Sequence, residues 1–426
     1  MRKYIIEGGY PVKGSIKVAG NKNAALPCIA ATLLTEEPVI LKNIPEIADV
    51  HVMFDILKAL GASVEKIEKS HYCIRCSELK TAQIPSHLSS KIRASILFAG
   101  PLLAAKGSAE LAAPGGDVIG RRRLDTHFLA LSELGARIEM DGTLKFSTNK
   151  MRGKDIFLDE ASVTATENAI MAAVLAEGDT TLYNVACEPH VQDLCNMLNS
   201  MGAKIEGIGS NFLKIEGVPR LSGCSFEIGS DYMEVGSLLG LAAVTKGELR
   251  IENVRISDMR VLKMGFAKLG ISWTIENGIL FYSSQNRLIV NCDVGGMIPK
   301  IDDSPWPGFP ADLTSIMTVV ATQTEGTVLI HEKMFESRMF FVDKLIEMGA
   351  KVTLCDPHRA VVAGPNRLHA TDLISPDVRA GMAMVLAACC ASGVSSIRNV
   401  YQIERGYENI VERLQSIGVK ISCEEE

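Results

Sequence analysis

The sequence has no long uninterrupted hydrophobic run. Its longest uncharged stretch, residues 380–397, is broken by Gly381, Ser392, Gly393, Ser395 and Ser396, so it reads as a buried helix plus a turn and not as a membrane span. The opening MRKYIIEGGYPVKG lacks an apolar h-region, and no secretory signal is expected. Charge of one sign is missing too. The 44 Lys and Arg nearly balance the 50 Asp and Glu, for a net charge of -6, which argues against a general nucleic-acid or anionic-membrane binder. The 11 cysteines are an odd number and several sit in apolar runs (Cys28, Cys389, Cys390), as expected of reduced cytosolic usage and not of a disulfide framework. Cys73-x-x-Cys76 alternates within HYCIRC as in a strand, and no second pair completes a zinc site. The 8 histidines show no HExxH spacing. No P-loop, dinucleotide fingerprint or nucleophilic triad stands out. Any anionic ligand must therefore be held by a local basic site, with no metal and no cofactor expected.

What the sequence does have is an internal repeat. LGASVE at Leu60, LGARIE at Leu134, MGAKIE at Met201, LGISWT at Leu269, MGAKVT at Met348 and IGVKIS at Ile417 recur every 67 to 79 residues. Each predicts a helix ending in a glycine cap, followed by a strand. The helix before each is amphipathic, as in DVHVMFDILKALG and YENIVERLQSIG. A second helix per repeat is apolar nearly all round and rich in small residues: AALPCIAATLL, ASILFAGPLLAA, AIMAAVLAEG, VGSLLGLAAVT, LTSIMTVVATQT and AGMAMVLAACCAS. A helix apolar on every side belongs inside, and small residues let such helices approach closely. β-Branched runs such as PVILKNI, TTLYNV, ELRIENV and TVLIHEK predict strands after them. The expected class is α/β, in six βαβα-type repeats. Three repeats would enclose their buried helices within sheets to form one body. Six would form two bodies with a cleft between them.

Polar residues gather where the apolar helices begin: Lys22 and Asn23, Arg93, Glu167 and Asn168, Glu234, Asp312 and Arg379. A helix N-terminus presents free N–H groups and partial positive charge, so Lys22, Arg93 and Arg379 there suit phosphate or carboxylate. Asp312 at such an end would be kept ionised, as a base should be. For Glu167 and Glu234, simple capping is as good a reading as function. A second set, Arg121, Arg122 and Arg123, then Arg338 and Arg405, lies near the starts of outer helices, and guanidinium forks suit bidentate anion binding. The glycine-rich APGGDVIG before the arginine run suits a lid. His127 follows it and either lines the site or packs.

These motifs, in this order, resemble the UDP-N-acetylglucosamine 1-carboxyvinyltransferase family. They are GGYPVKGSIKVAGNKNAALPCIAATLL, RASILFAGPLLA, PGGDVIGRRRLDTH, ASVTATENAIMAAVLAEG, FPADL, FESRMFFVDKLIEMGA, PDVRAGMAMVLA and IERGYE. The resemblance implies a two-domain inside-out α/β barrel, with domains at 22–229 and at 1–21 joined to 230–426, and an active site in the cleft. It implies transfer of an enolpyruvyl group from phosphoenolpyruvate to the sugar 3-hydroxyl of UDP-N-acetylglucosamine in the cytoplasm, as the first committed step of peptidoglycan synthesis. No nucleic acid, membrane or obligate protein partner is implied. Lys22, Arg122 and Arg405 would hold phosphoenolpyruvate, and Asn23 would bridge the two substrates. Arg93, Arg122, Arg123, Leu124, Asp125 and Thr126 would face the UDP-sugar, with Ser162 and Val163 near the nucleotide and Met334 also at the site. Asp312 would be the general base, and Arg338 and Arg379 would complete the anionic pocket.

The sequence departs from the family at the lid. Asp117 stands where cysteine is usual, and it would take over as proton donor, with fosfomycin insensitivity as a corollary. Glu160, Cys187, Tyr232 and Ser337 also replace residues commoner in relatives. A shikimate-pathway enolpyruvyl transferase, a paralogue acting on another nucleotide and a catalytically dead binder are the competing readings. The GNKNAALP start disfavours the first, the match at both chain ends the second. Joint retention of Lys22, Arg122, Asp312, Arg338, Arg379 and Arg405 disfavours the third.

Overall fold

Six apolar helices organise the chain in the computed structural model, which describes residues 2–116 and 119–425. Two compact units form, one of Gly20–Gly116 and Arg123–Gly229, the other of Met1–Ala19, Asp117–Arg122 and Ser230–Glu426. Each has its own apolar core. The second unit thus takes in residues 119–122, which the expected boundary at 22–229 had placed in the first. Asp117 itself lies outside the described residues.

In the second unit the helices Tyr232–Val244, Thr314–Gln323 and Val378–Cys390 pack on one another and are buried almost end to end. Small residues make this possible. A Cβ on Gly236 would meet Leu313 Cδ1 at 2.7 Å, and one on Gly240 would meet Ile316 Cγ2 at 2.6 Å. Overpacking of this kind typically costs about 1–3 kcal/mol. In the first unit the equivalent helices are Lys22–Ala31, a 3-10 turn Arg93–Phe98 continuing as Ala99–Lys106, and Val163–Ala173. All six LGA-type glycines adopt positive φ, between 75° and 108°, as a left-handed helix stop requires.

Three sheets flank the central helices of each unit. Five of the six share one order: a strand before the central helix, the parallel strand after it, then two antiparallel strands. In the three-stranded sixth sheet a single parallel bridge, Gln83 to Glu110, replaces the first strand. Where the chain changes unit, strands are exchanged. Lys13–Lys17 precedes the Lys22–Ala31 helix but pairs with Glu248–Glu252, whereas Ser225–Glu227 precedes Tyr232–Val244 but pairs with Val39–Lys42. The first strand, Arg2–Glu7, completes the last sheet between Val394–Arg398 and Lys420–Glu425. No helix among the described residues is long and apolar enough to cross a membrane.

Candidate active site

In the second unit, Asp312 sits in the 3-10 turn Ala311–Leu313 that leads into the helix Thr314–Gln323. Each of its oxygens receives one guanidinium. Arg338 Nη2 donates to Oδ1 at 2.7 Å and Arg379 Nε to Oδ2 at 3.0 Å. Both arginines are buried, at 8% and 6% side-chain exposure, while Asp312 keeps 22%. Burial alone would raise the Asp312 carboxyl. The guanidiniums of Arg379 and Arg338 outweigh it and hold Asp312 well below the usual carboxylate range.

Each arginine is itself fixed. Arg338 Nη1 donates to the Ala311 carbonyl at 3.2 Å, and its guanidinium lies 4.9 Å from the Phe335 ring centroid. Arg379 follows the N-cap Asp377, which accepts from the backbone N–H groups of Arg379 and Ala380. Its guanidinium lies 5.5 Å from the Tyr407 ring centroid and donates to the Tyr407 hydroxyl at 3.3 Å. That hydroxyl is 2.9 Å from Ser237 Oγ. Arg405 is buried at the end of the helix Tyr401–Glu404 and donates to Gln402 Oε1 at 2.8 Å. Arg122 closes the segment 119–122, which is tied to the approach to Arg338. There the Arg121 N–H donates to Glu336 Oε2 at 3.2 Å and the Ser337 N–H to the Ile119 carbonyl at 3.2 Å. Met334 is partly exposed and donates its N–H to Asp303.

In the first unit, Asn21 caps the helix that Lys22 begins. Lys22 Nζ lies 2.6 Å from Asp49 Oδ2, with both side chains largely buried. Asn23 is half-buried beside it. Further along, Arg93 Nη2 donates to the Arg123 carbonyl at 3.0 Å, and Arg123 Nε to Asp125 Oδ2 at 3.0 Å. Leu124 is the N-cap residue of the helix Asp125–Glu133. Thr126 donates to Asp159 Oδ1 at 2.7 Å. Ser162 is the N-cap residue of Val163–Ala173, so Val163 opens that helix.

His127 is buried between these elements. Asn168 Nδ2 donates to its Nδ1 at 2.9 Å, which leaves the proton on Nε2, 3.0 Å from Thr164 Oγ1. Burial, with the nearby charge of Arg93, lowers the imidazole to about 3, so His127 is neutral. Of its two sequence readings, packing holds.

Two expectations change. Glu167 and Asn168 lie in the second turn of their helix, not ahead of it, and Asn168 is buried, linking the Gly100 N–H and the Ile96 carbonyl. Glu234 pairs with Arg413 and accepts the Ala19 N–H at 2.9 Å, a structural tie. Sequence reasoning missed Asp49 and Tyr407. Asp49 hides as an ordinary acid in the first turn of an amphipathic helix. Tyr407 lies in the quoted IERGYE, but nothing in the pattern pairs it with Arg379.

A central carboxylate clamped by buried guanidiniums suits proton transfer beside an anionic ligand. The comparisons agree in class. The chain matches the EPSP synthase family (3-phosphoshikimate 1-carboxyvinyltransferase) over residues 6–414. Among solved structures it is similar to the enolpyruvyl transferase NikO from Streptomyces tendae, with TM-score 0.88 and 23% identity over 99% of this chain and 98% of that one. It is also similar to EPSP synthase from Acinetobacter baumannii, with TM-score 0.78 and 18% identity over the whole of both chains. These two likenesses speak for the fold.

The particular family follows from sequence. The UDP-N-acetylglucosamine 1-carboxyvinyltransferase of Treponema denticola is 68% identical over 100% of both chains, and that of Treponema pallidum is 64% identical over 99% of each. The chain belongs to the UDP-N-acetylglucosamine 1-carboxyvinyltransferase family within the enolpyruvyl transferases.

Proposed function

We propose that the chain transfers the enolpyruvyl group of phosphoenolpyruvate to the 3-hydroxyl of UDP-N-acetylglucosamine, in the cytoplasm, as the first committed step toward peptidoglycan. The observation that supports this most is the full-length 68% identity to a relative of that name. In this reading the sugar oxygen bonds to C2 of phosphoenolpyruvate while C3 gains a proton. A tetrahedral ketal forms. It then loses phosphate and a C3 proton to leave the enol ether. The chemistry needs an acid, a base and several cations.

Asp312 is the base for the 3-hydroxyl proton. With a guanidinium on each oxygen it is a weak one. The carboxylate and phosphate of phosphoenolpyruvate compete for Arg338 and Arg379, and each guanidinium that turns to the ligand raises Asp312's proton affinity. The base thus becomes effective once the donor is bound. Lys22, Arg122 and Arg405 hold phosphoenolpyruvate, with Asn23 between the substrates. Arg93, Arg123, Leu124, Asp125, Thr126, Ser162 and Val163 serve the UDP-sugar, and Met334 borders it. Asp117 delivers the proton to C3.

Mass analysis of the reaction mixture tests the reading. UDP-N-acetylglucosamine enolpyruvate should accumulate with phosphate in equal amounts, and neither should form without the UDP-sugar. Phosphate without the enol ether would refute it. Since Asp117 offers no thiol, preincubation with fosfomycin should leave the rate unchanged, and time-dependent covalent inactivation at Asp117 would refute its assigned place.

A further inference from the structure

Four repeats link their two parallel strands with one device. The residue after the second strand is an asparagine with φ of 56–62°: Asn43, Asn184, Asn253 and Asn399. Its Nδ2 donates, at 2.8–3.0 Å, to the carbonyl of the residue after the first strand: Ile228, Leu158, Val18 and Ser375 respectively. In the repeat that carries Asp312 and Arg338, these two places belong to Glu332, after Gly326–His331, and Asp303, after Lys300–Asp302. Acids occupy both places, where the other four repeats have an asparagine and one of Ile228, Leu158, Val18 and Ser375. The device is also missing from the repeat of the three-stranded sheet, where Ala112 follows Ser108–Leu111 and the first strand is reduced to a bridge; only beside the reactive cluster do two buried acids take its places, which points to function.

Both acids are 0% exposed, but their surroundings differ. Asp303 is served as an anion. It accepts the N–H groups of Lys333 and, at 3.2 Å, Met334, and so pins the segment leading to Arg338. Glu332 is tied to His358 through its main chain. Its N–H donates to the His358 carbonyl at 2.8 Å, and its carbonyl accepts from His358 Nδ1 at 2.7 Å. Neither side-chain oxygen makes a hydrogen bond of full geometry among the described residues, nor do Thr314 Oγ1 and Arg338 Nε, but Asp303 and Thr314 stand close enough to act on the Glu332 carboxyl. Burial pushes the Glu332 carboxyl up to about 9 against the pull of Arg338, and the neighbouring Asp303 adds to the rise.

We propose that Glu332 is a positioning residue, held as a neutral acid beside Asp303, and that its neutrality keeps Arg338 committed to Asp312. The two acids hold one proton and one negative charge. The proton stays on Glu332, and the charge stays on Asp303, where two backbone amides require it. An ionised Glu332 would offer Arg338 a second buried carboxylate and draw the guanidinium away from Asp312. The groups facing Glu332 are Asp303, Arg338 with Asp312 beyond it, Thr314 at the head of its helix, and His358. The catalytic consequence rests on the base role proposed for Asp312; the protonation state does not.

Two readouts test this with the full chain. The first needs no turnover. Glutamate in the unfolded chain ionises near ~4.3, whereas in the folded chain Glu332 does so near about 9. Between those values only the folded state retains this proton, so rising pH destabilises the wild type, and the loss levels off above the folded value. The Tm advantage of Glu332→Gln over wild type should therefore grow from pH 5 to pH 9. A difference constant with pH would overturn the proposal.

The second readout is the pH profile of kcat/KM. Wild type should show a falling limb near pH 9 that is absent in Glu332→Gln, which should stay within about threefold of wild type at pH 7. Asp303→Asn, which removes the neighbouring charge, should move the limb to lower pH. A limb unchanged in the glutamine variant, or a folded glutamine variant slower by more than about tenfold at pH 7, would overturn it. Should wild type transfer nothing, the functional reading fails, and the Tm comparison still decides the state of the carboxyl.

Discussion

The helix entrances of the two units put their basic residues to different use. In the second unit, Arg338 and Arg379 are buried and both converge on one carboxylate, so the cluster of Asp312 and its arginines holds two cations against one anion. In the first unit, Lys22 pairs with Asp49, Arg93 binds a main-chain carbonyl, and the neighbouring histidine is neutral with its tautomer fixed. The same fold element thus gives two kinds of surface. One converges two buried guanidiniums on a single carboxylate in a low-dielectric setting, where an incoming anion competes for them. The other ties each cation to a separate partner, Lys22 to Asp49, Arg93 to a main-chain carbonyl and Arg123 to Asp125, beside the neutral His127.

The largest effect should come from breaking the charged cluster at its centre. Asp312→Asn removes the proposed proton acceptor and should lower kcat by about 10²–10⁴-fold, the usual worth of a general base. A variant within tenfold of wild type in steady-state kinetics would end the distinction between the two surfaces. Arg379→Lys keeps the charge but loses the fork shared by Asp312 and Tyr407. It should cost about 10–100-fold in kcat/KM for phosphoenolpyruvate. Thr126→Val, in the first unit, breaks the 2.7 Å bond to Asp159. It should raise KM for the UDP-sugar by about 3–10-fold and leave kcat nearly unchanged, as loss of one net hydrogen bond would.

A separate effect is on acid stability and not on the reaction. His127 titrates near about 3 when folded and near ~6.5 when unfolded. Below the unfolded value the unfolded chain takes up a proton that the folded one refuses, so stability falls as pH drops from that value toward the folded one. In denaturant titrations, His127→Gln should reduce the loss between pH 7 and pH 4 by on the order of 3 kcal/mol. An unchanged loss would mean that the ring charges in place.

The repeat made most of the fold legible, because its signals are local. A glycine that stops a helix and a helix apolar on every side each depend on a few neighbouring residues. All six glycines adopt the required conformation, and the six apolar helices are the buried ones. The strand exchange at residues 19–20 and 229–230 is not local. Lys13–Lys17 and Ser225–Glu227 carry the same kind of pattern, and nothing in either says which sheet it joins. Arg338 and Arg379 stand out in the sequence by type and position, but their shared use of Asp312 does not, since guanidinium partners are set by tertiary packing. Asn43, Asn184, Asn253 and Asn399 were in plain view after each strand. Their meaning emerges only when the carbonyls they bind are known, and with it the oddity of Glu332.

The most direct test of the account is phosphate release from phosphoenolpyruvate by the wild-type chain across pH, with and without UDP-N-acetylglucosamine. Release that requires the UDP-sugar is the predicted result, and it would show at the same time that a chain with Asp117 in place of cysteine supports the reaction. No release at any pH, with UDP-N-acetylglucosamine still bound, would contradict the account and leave a binding protein in the enzyme's fold.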